Sequence, residues 1–376
     1  MTREMFVYPW DAYDEGLEVF ITHLHEMKIS HVSLAVLYHH ARILLPHNPV
    51  RKLLLHKGGS LYVPFDPESY GLMKPDQGTA VPASFVTELI QRLKQEGIGV
   101  SAWSVLLHNS VLAQKFPAFA LENVYGDSSP SNLCPSNEAV EDYAVQVCKD
   151  ITKAGFDRID AESLDYAGFL HGDHHEMQAY SDTAALNRWL GLCFCPACMK
   201  KAAAFGVNGK KLKSQVRKAA DALLNLKPIP QVDQALLEAY DTFRCVTVTN
   251  LFRRVEAETG LPVCPIVWAA GGANPKESGV DPEKIKPRQM ILCYPASPED
   301  TSSFLRRNQA APSAKTEIIG GIRLMSPQTT DSFQVLMYED AYRKNGIGHV
   351  IFYQYGMAPK PFLDQLSLYA EGGGCG

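Results

Sequence analysis

No excess of basic residues marks this chain: 36 lysines and arginines stand against 41 aspartates and glutamates, a formal net charge of −5 over 376 residues. Nucleic-acid binders usually carry a clustered basic surface, so nucleic acid is not expected as a partner. A run of about 18 apolar residues is also missing, which removes a membrane-spanning helix from the expected architecture. The opening segment from Met1 to Trp10, MTREMFVYPW, lacks the charged-then-apolar layout of a signal peptide. The reading is of a soluble chain, cytoplasmic as given or exported if a leader was trimmed; localisation and oligomeric state stay open. Internal repeats and low-complexity tracts are absent. No Gly-x-Gly-x-x-Gly follows the first strand-like segment, so no organic cofactor is expected.

With 46% apolar and 20% charged residues, the chain can bury a sizeable core. Short apolar runs alternate with longer amphipathic stretches throughout, as β-α units around parallel strands do. Eight strands are predicted: Met5–Tyr8, His31–Leu37, Gly99–Ser104, Arg158–Ala161, Pro262–Trp268, Met290–Tyr294, Glu317–Ile322 and Gly348–Tyr353. Several follow a helix that closes on a cation and a glycine, as in Lys153-Ala-Gly155, which is the chemistry of a helix C-terminus. Eight such units predict one α/β domain over 1–376, a closed (β/α)8 TIM barrel. About 100 residues separate strands four and five, more than one helix needs. Helices are expected there over Leu212–Ala222 and Asp233–Thr259, in an extended, cysteine-rich region between the fourth strand and its barrel helix, about 163–260.

In such barrels the reacting groups come from the C-terminal strand ends and the loops that follow. Those ends carry Tyr8, Trp10 and Asp11; His39 and His40 beyond Tyr38; Trp103, then His108 and Asn109; Trp268; Tyr294; Arg323; and Tyr353 with Gln354. Aromatic faces suit the C–H side of a sugar, and His, Asn, Gln, Arg and carboxylates suit its hydroxyls. Strand four ends in Asp160-Ala-Glu162, with Asp165 soon after. Residues two apart on a strand face the same way, and glycosidic cleavage needs two carboxyl groups. Glu162 is the expected general acid, with Asp160 or Asp165 as its partner; the alternative is that Asp160 pairs with an arginine of the barrel floor. His171, His174, His175 and Glu176 are read as a polar substrate-contacting loop, with a solvated loop or a metal site as alternatives. They lack the His-Glu-x-x-His order of zinc proteases.

Nine cysteines are an odd count, and Cys193, Cys195 and Cys198 crowd together, which suggests metal more than a disulfide framework. Cys264 and Cys293 sit inside predicted strands and read as small buried hydrophobes. Cys134, in Asn132-Leu-Cys-Pro-Ser-Asn137, precedes an amphipathic stretch leading to strand four. This layout over roughly Trp103 to Phe205 resembles the zinc-containing beta-galactosidases of glycoside hydrolase family 42 and related glycoside-hydrolase-like barrels. The resemblance implies a structural zinc held by Cys134, Cys193, Cys195 and Cys198, and Glu162 as acid/base. The family's Asn before that Glu is Ala161 here, and where its nucleophilic Glu ends strand seven this chain has Gly320-Gly-Ile-Arg323. The second carboxyl is then Asp160, Asp165, Asp11 or Glu299, or the barrel inverts, or it does not hydrolyse.

The expected function is a glycoside hydrolase with a carbohydrate substrate. The rivals are a non-catalytic carbohydrate-binding barrel and a metal-dependent barrel hydrolase using the His171–Glu176 cluster.

Overall fold

Apolar runs buried on both faces form the inner wall of the protein, the pattern of parallel strands covered by helices. In a computed structural model that describes residues 1–169, 180–268, 274–308 and 316–371, eight parallel strands make this wall. They are β1 (Thr2–Val7), β2 (His31–Tyr38), β3 (Gly99–Val105), β4 (Arg158–Glu162), β5 (Val263–Trp268), β6 (Gln289–Cys293), β7 (Glu317–Arg323) and β8 (His349–Tyr353). Each pairs with its sequence neighbours, and β1 closes the barrel by pairing with both β2 and β8, Met5 lying opposite Val32 on one side and Phe352 on the other. All eight predicted strands are present, with ends displaced by a few residues. Gly155, between the helix Glu138–Lys153 and β4, adopts φ +91° as the left-handed cap requires.

Two antiparallel hairpins rise from the strand ends: Ala41–Leu44 with Leu53–His56 after β2, and Ala120–Glu122 with Ser128–Leu133 after β3. Beyond β4 the chain forms helices Thr183–Leu190, Pro196–Ala204 and Gly209–Leu224, then the 26-residue helix Gln234–Thr259 that leads back to β5. The last two correspond to the helices expected from sequence, with Asp233 as the cap that precedes the second. No helix of the described residues is long and apolar enough to cross a membrane.

The inward side chains form layers, since alternate residues of a strand share a face. Near the strand starts lies a charged floor. Arg158 of β4 donates to Glu4 of β1 (Nη2–Oε2 2.8 Å) and to Gln289 of β6 (Nη1–Oε1 2.6 Å), while His349 of β8 contacts Glu4 (2.8 Å) and Glu317 (3.0 Å). Burial alone would raise the Glu4 carboxyl, but Arg158 and His349 hold it well below the usual range.

Candidate active site

Strand β4 contributes three inward residues at successive levels from floor to mouth, Arg158, Asp160 and Glu162. Asp160 is fully buried in the middle, receiving hydrogen bonds from Arg158 (Nε–Oδ1 2.6 Å) and from Ser33 Oγ (2.5 Å). It is the arginine's partner, and its position within the barrel interior removes it from the choice of second carboxyl. Glu162, two residues on, stands at the mouth, where Trp103 Nε1 donates to its Oε2 at 2.6 Å.

Aromatic rings hold that tryptophan from three sides. Tyr8 stacks on Trp103 with centroids 5.6 Å apart, and Tyr38 and Tyr353 meet it edge-on at 4.9 and 5.9 Å. Tyr8 donates to the Tyr38 hydroxyl at 2.9 Å, so β1, β2, β3 and β8 converge on one mouth. Burial raises the hydroxyls of Tyr8, Tyr38, Tyr294 and Tyr353; the Glu162 charge adds to the effect on Tyr38, Tyr294 and Tyr353. Tyr353 lies 5.7 Å from Tyr294, and the Arg323 guanidinium sits over both rings, 5.4 Å from Tyr294 and 5.6 Å from Tyr353. The Tyr294 ring fits against β7 because residue 321 is glycine: a Cβ there would come within 2.8 Å of it. On the other flank His39 stacks on Tyr38 at 4.2 Å and meets His108 edge-on at 5.4 Å, while His108 Nδ1 lies 2.8 Å from Asn132 Oδ1. Of this set, Tyr353, Arg323, His39 and the adjacent His40 keep the most accessible surface, and Tyr8, Trp103 and Tyr38 form a packed layer behind them.

Asp165 follows β4. Burial pushes its carboxyl up to about 7 and the Glu162 charge adds to this, against a hydrogen bond from Ser278 and the nearby Arg244. The two carboxyl groups therefore lie within electrostatic reach of each other.

Several residues expected on the substrate surface are placed in packing instead. Trp10 is wholly enclosed, stacked on Tyr8 at 4.6 Å and lying 5.4 Å from His56, so it offers no face to a ligand. Asp11 accepts from the Tyr8 backbone N–H (2.9 Å) and from Gln354 Nε2 (3.1 Å) at the start of helix Pro9–Glu15, and burial pushes its carboxyl up to about 8. Gln354 is equally buried, and its Oε1 accepts from Met357 N at 2.8 Å. Asn109 caps helix Ser110–Lys115 by accepting from Leu112 N at 3.0 Å. Glu299 is exposed, its carboxyl held down by its own backbone N–H and Ser297. His171, His174, His175 and Glu176, and the Trp268 side chain, lie outside the described residues. Sequence reasoning missed the supporting roles of His56 and Asn132. Both sit on the hairpins, where no periodicity marked them.

A second cluster lies beside the barrel. Cys134, Cys193, Cys195 and Cys198 are all buried, with sulfurs within 4.8 Å of one another. Cys134 Sγ is 3.8, 3.5 and 3.4 Å from the other three in turn, far beyond a disulfide bond. Metal–sulfur bonds of about 2.3 Å in a tetrahedron put sulfurs roughly 3.8 Å apart, so the set can hold one metal ion. The backbone N–H groups of Glu122 (3.3 Å) and Cys198 (3.5 Å) point at the Cys193 and Cys195 sulfurs, which suits thiolates. Cys264 and Cys293 are buried in β5 and β6 as expected.

No family model and no curated protein matches the sequence. In structure the chain is similar to alpha-L-fucosidase isoenzyme 2 from Paenibacillus thiaminolyticus, with TM-score 0.60 and 11% identity over 99% of this chain and 49% of that one. It is also similar to a beta-galactosidase from the psychrophilic Marinomonas ef1, with TM-score 0.61 and 9% identity over 99% of this chain and 59% of that one. A beta-N-acetylhexosaminidase matches with TM-score 0.50 and 12% identity, covering 98% and 75%. The chain thus spans about half to three-fifths of the first two. At such identities the likeness is one of fold: this chain shares the closed (β/α)8 barrel of these proteins.

Proposed function

We propose that this barrel is a glycoside hydrolase in which Glu162 is the general acid/base. The observation that carries the reading is the placement of Glu162: a carboxyl at the mouth end of β4, bonded to Trp103 and near enough to Asp165 for its charge to help raise that carboxyl. Two carboxyl groups within electrostatic reach of each other, one of them at a mouth ringed by tyrosines and histidines, match the needs of glycosidic cleavage. Asp165 is the second carboxyl. Tyr353, Tyr294, Arg323, His39, His40 and His108 would meet the sugar, with Tyr8 and Trp103 holding Glu162 in place. The four cysteines take a structural zinc, and 1–376 forms one domain.

The test is hydrolysis of a panel of oligosaccharides by the wild type and by Glu162→Gln. Turnover is expected to fall by about 10²–10⁴ in the variant while binding survives. Full activity in the variant would reject the assignment. A carbohydrate-binding barrel without catalysis is the second reading, supported by β7, which carries Gly320, Gly321 and Arg323 and no carboxyl at its end. It predicts sugar binding with no hydrolysis by either protein.

A further inference from the structure

The end of β7 brings a positive charge to the mouth. Arg323 is half-buried, its guanidinium held over the Tyr294 and Tyr353 rings at 5.4 and 5.6 Å. These same two rings feel the charge of Glu162, so the guanidinium and the candidate acid flank one tyrosine pair. Among the described residues the guanidinium makes no ion pair, and its one hydrogen bond there runs from Nη1 to the neutral Gln328 Oε1 at a long 3.3 Å.

The other interior arginines contrast with this. Arg158 is paired with Glu4 and Asp160, and Arg244 contacts Asp241 at 3.4 Å. A partly desolvated cation without a counter-charge is unfavourable unless something supplies one. Stacking on two rings holds the group in a fixed orientation, which favours recognition of a planar anion over a diffuse interaction with solvent.

We infer that the mouth takes an acidic carbohydrate, with Arg323 binding the carboxylate of a uronic acid while the glycosidic oxygen lies towards Glu162. This rests on the reading of the mouth as a carbohydrate site and narrows its substrate class. A sulfated sugar shares the negative charge, but the planar fork of a guanidinium matches a carboxylate in two parallel hydrogen bonds. That β7 ends in Arg323 with no carboxyl beside it fits this, since an anion at that place would repel the substrate's own.

The test is calorimetric titration of wild type, Arg323→Gln and Arg323→Lys with D-glucuronate, D-galacturonate, D-glucose, D-galactose, D-glucose 6-sulfate and acetate. Binding needs no turnover, so the result stands apart from the catalytic reading. A uronate is expected to bind about 10- to 100-fold more tightly than its neutral parent, the worth of hydrogen bonds to a charged group. Arg323→Gln should erase that preference, and Arg323→Lys should keep part of it. Neutral sugars binding as well as uronates would overturn the inference and leave the carbohydrate reading standing. Binding of no sugar would overturn both. Tighter binding of the sulfate would overturn the carboxylate assignment, and acetate binding as well as uronate would overturn recognition of a sugar. If Arg323→Gln does not fold, the wild-type preference and its reduction in Arg323→Lys decide alone.

Discussion

Glu162 receives a hydrogen bond of 2.6 Å from an indole N–H, and such a bond favours the ionised carboxyl. Trp103→Phe keeps a ring in the packing and removes the donor, so the limb of the pH–rate profile that Glu162 governs should move to higher pH. An unmoved profile would show that the bond does not tune the acid. Asp165 offers a separate check, because burial pushes its carboxyl up to about 7. It holds its proton below that value and loses it above. A limb within about one unit of pH 7 is therefore expected in the wild type and should be gone from the residual activity of Asp165→Asn. Survival of that limb in the variant would assign it to another group. Asp160 and Glu162 show how far residue reading goes: the two-residue spacing put both on one face of β4, but depth along the strand separates them. Arg158, again two residues away, claims Asp160, and this could be told only once the neighbours at that depth, Ser33 and Glu4, were known.

The elements were the most legible part, because a strand covered on both faces must be apolar for most of its length. Where the structure extends a strand, a charged residue is the reason. β1 begins at Thr2 because Glu4 can face inward once Arg158 meets it, and β4 continues to Glu162 because the mouth accepts a carboxyl. The hairpins were not legible. Leu44, Leu53 and Leu55 lie exposed on one of them, so its pattern carries no inward and outward alternation. The cysteine cluster was visible as spacing, and the fold brings its members together, Cys134 from before helix Glu138–Lys153 and the other three from the start of helix Pro196–Ala204 beyond β4, where a bound metal would tie the two segments. One zinc per chain is expected by elemental analysis, released by chelator only on unfolding. Cys134→Ser should lose the metal and lower the thermal midpoint by several degrees, as removal of a structural staple does. Full stability with no metal in the wild type would contradict the site.

At the scale of the whole molecule the barrel has two polar ends with an apolar wall between them, a charged floor and an aromatic mouth. The floor ties stability to pH through two histidines of opposite sense. Burial works against the charged form of His349, but Glu4 and Glu317 outweigh it and raise its pKa. Its contribution is complete below the unfolded value of about 6.5 and is lost as pH rises through the higher folded value. His31 is held neutral mainly by burial, with Arg158 adding to this against Glu4, Asp160 and Asp157. As pH falls below about 6.5 the unfolded chain takes up a proton that folded His31 refuses, and stability drops. The two slopes oppose one another in the wild type. In urea unfolding, His349→Gln should lose stability relative to the wild type towards pH 5.5 and His31→Gln towards pH 8; slopes of the opposite sign would contradict the floor assignment. The mouth carries the central claim, that Glu162 donates the proton to a leaving glycosidic oxygen. The most direct measurement compares the loss of kcat/KM caused by Glu162→Gln on a natural disaccharide with the loss on an aryl glycoside of the same sugar whose phenol is strongly acidic. The account predicts a loss of about 10²–10⁴ on the disaccharide and a loss at least about tenfold smaller on the aryl glycoside, which needs little protonation to depart. Equal losses on both substrates, or no loss on the disaccharide, would contradict it.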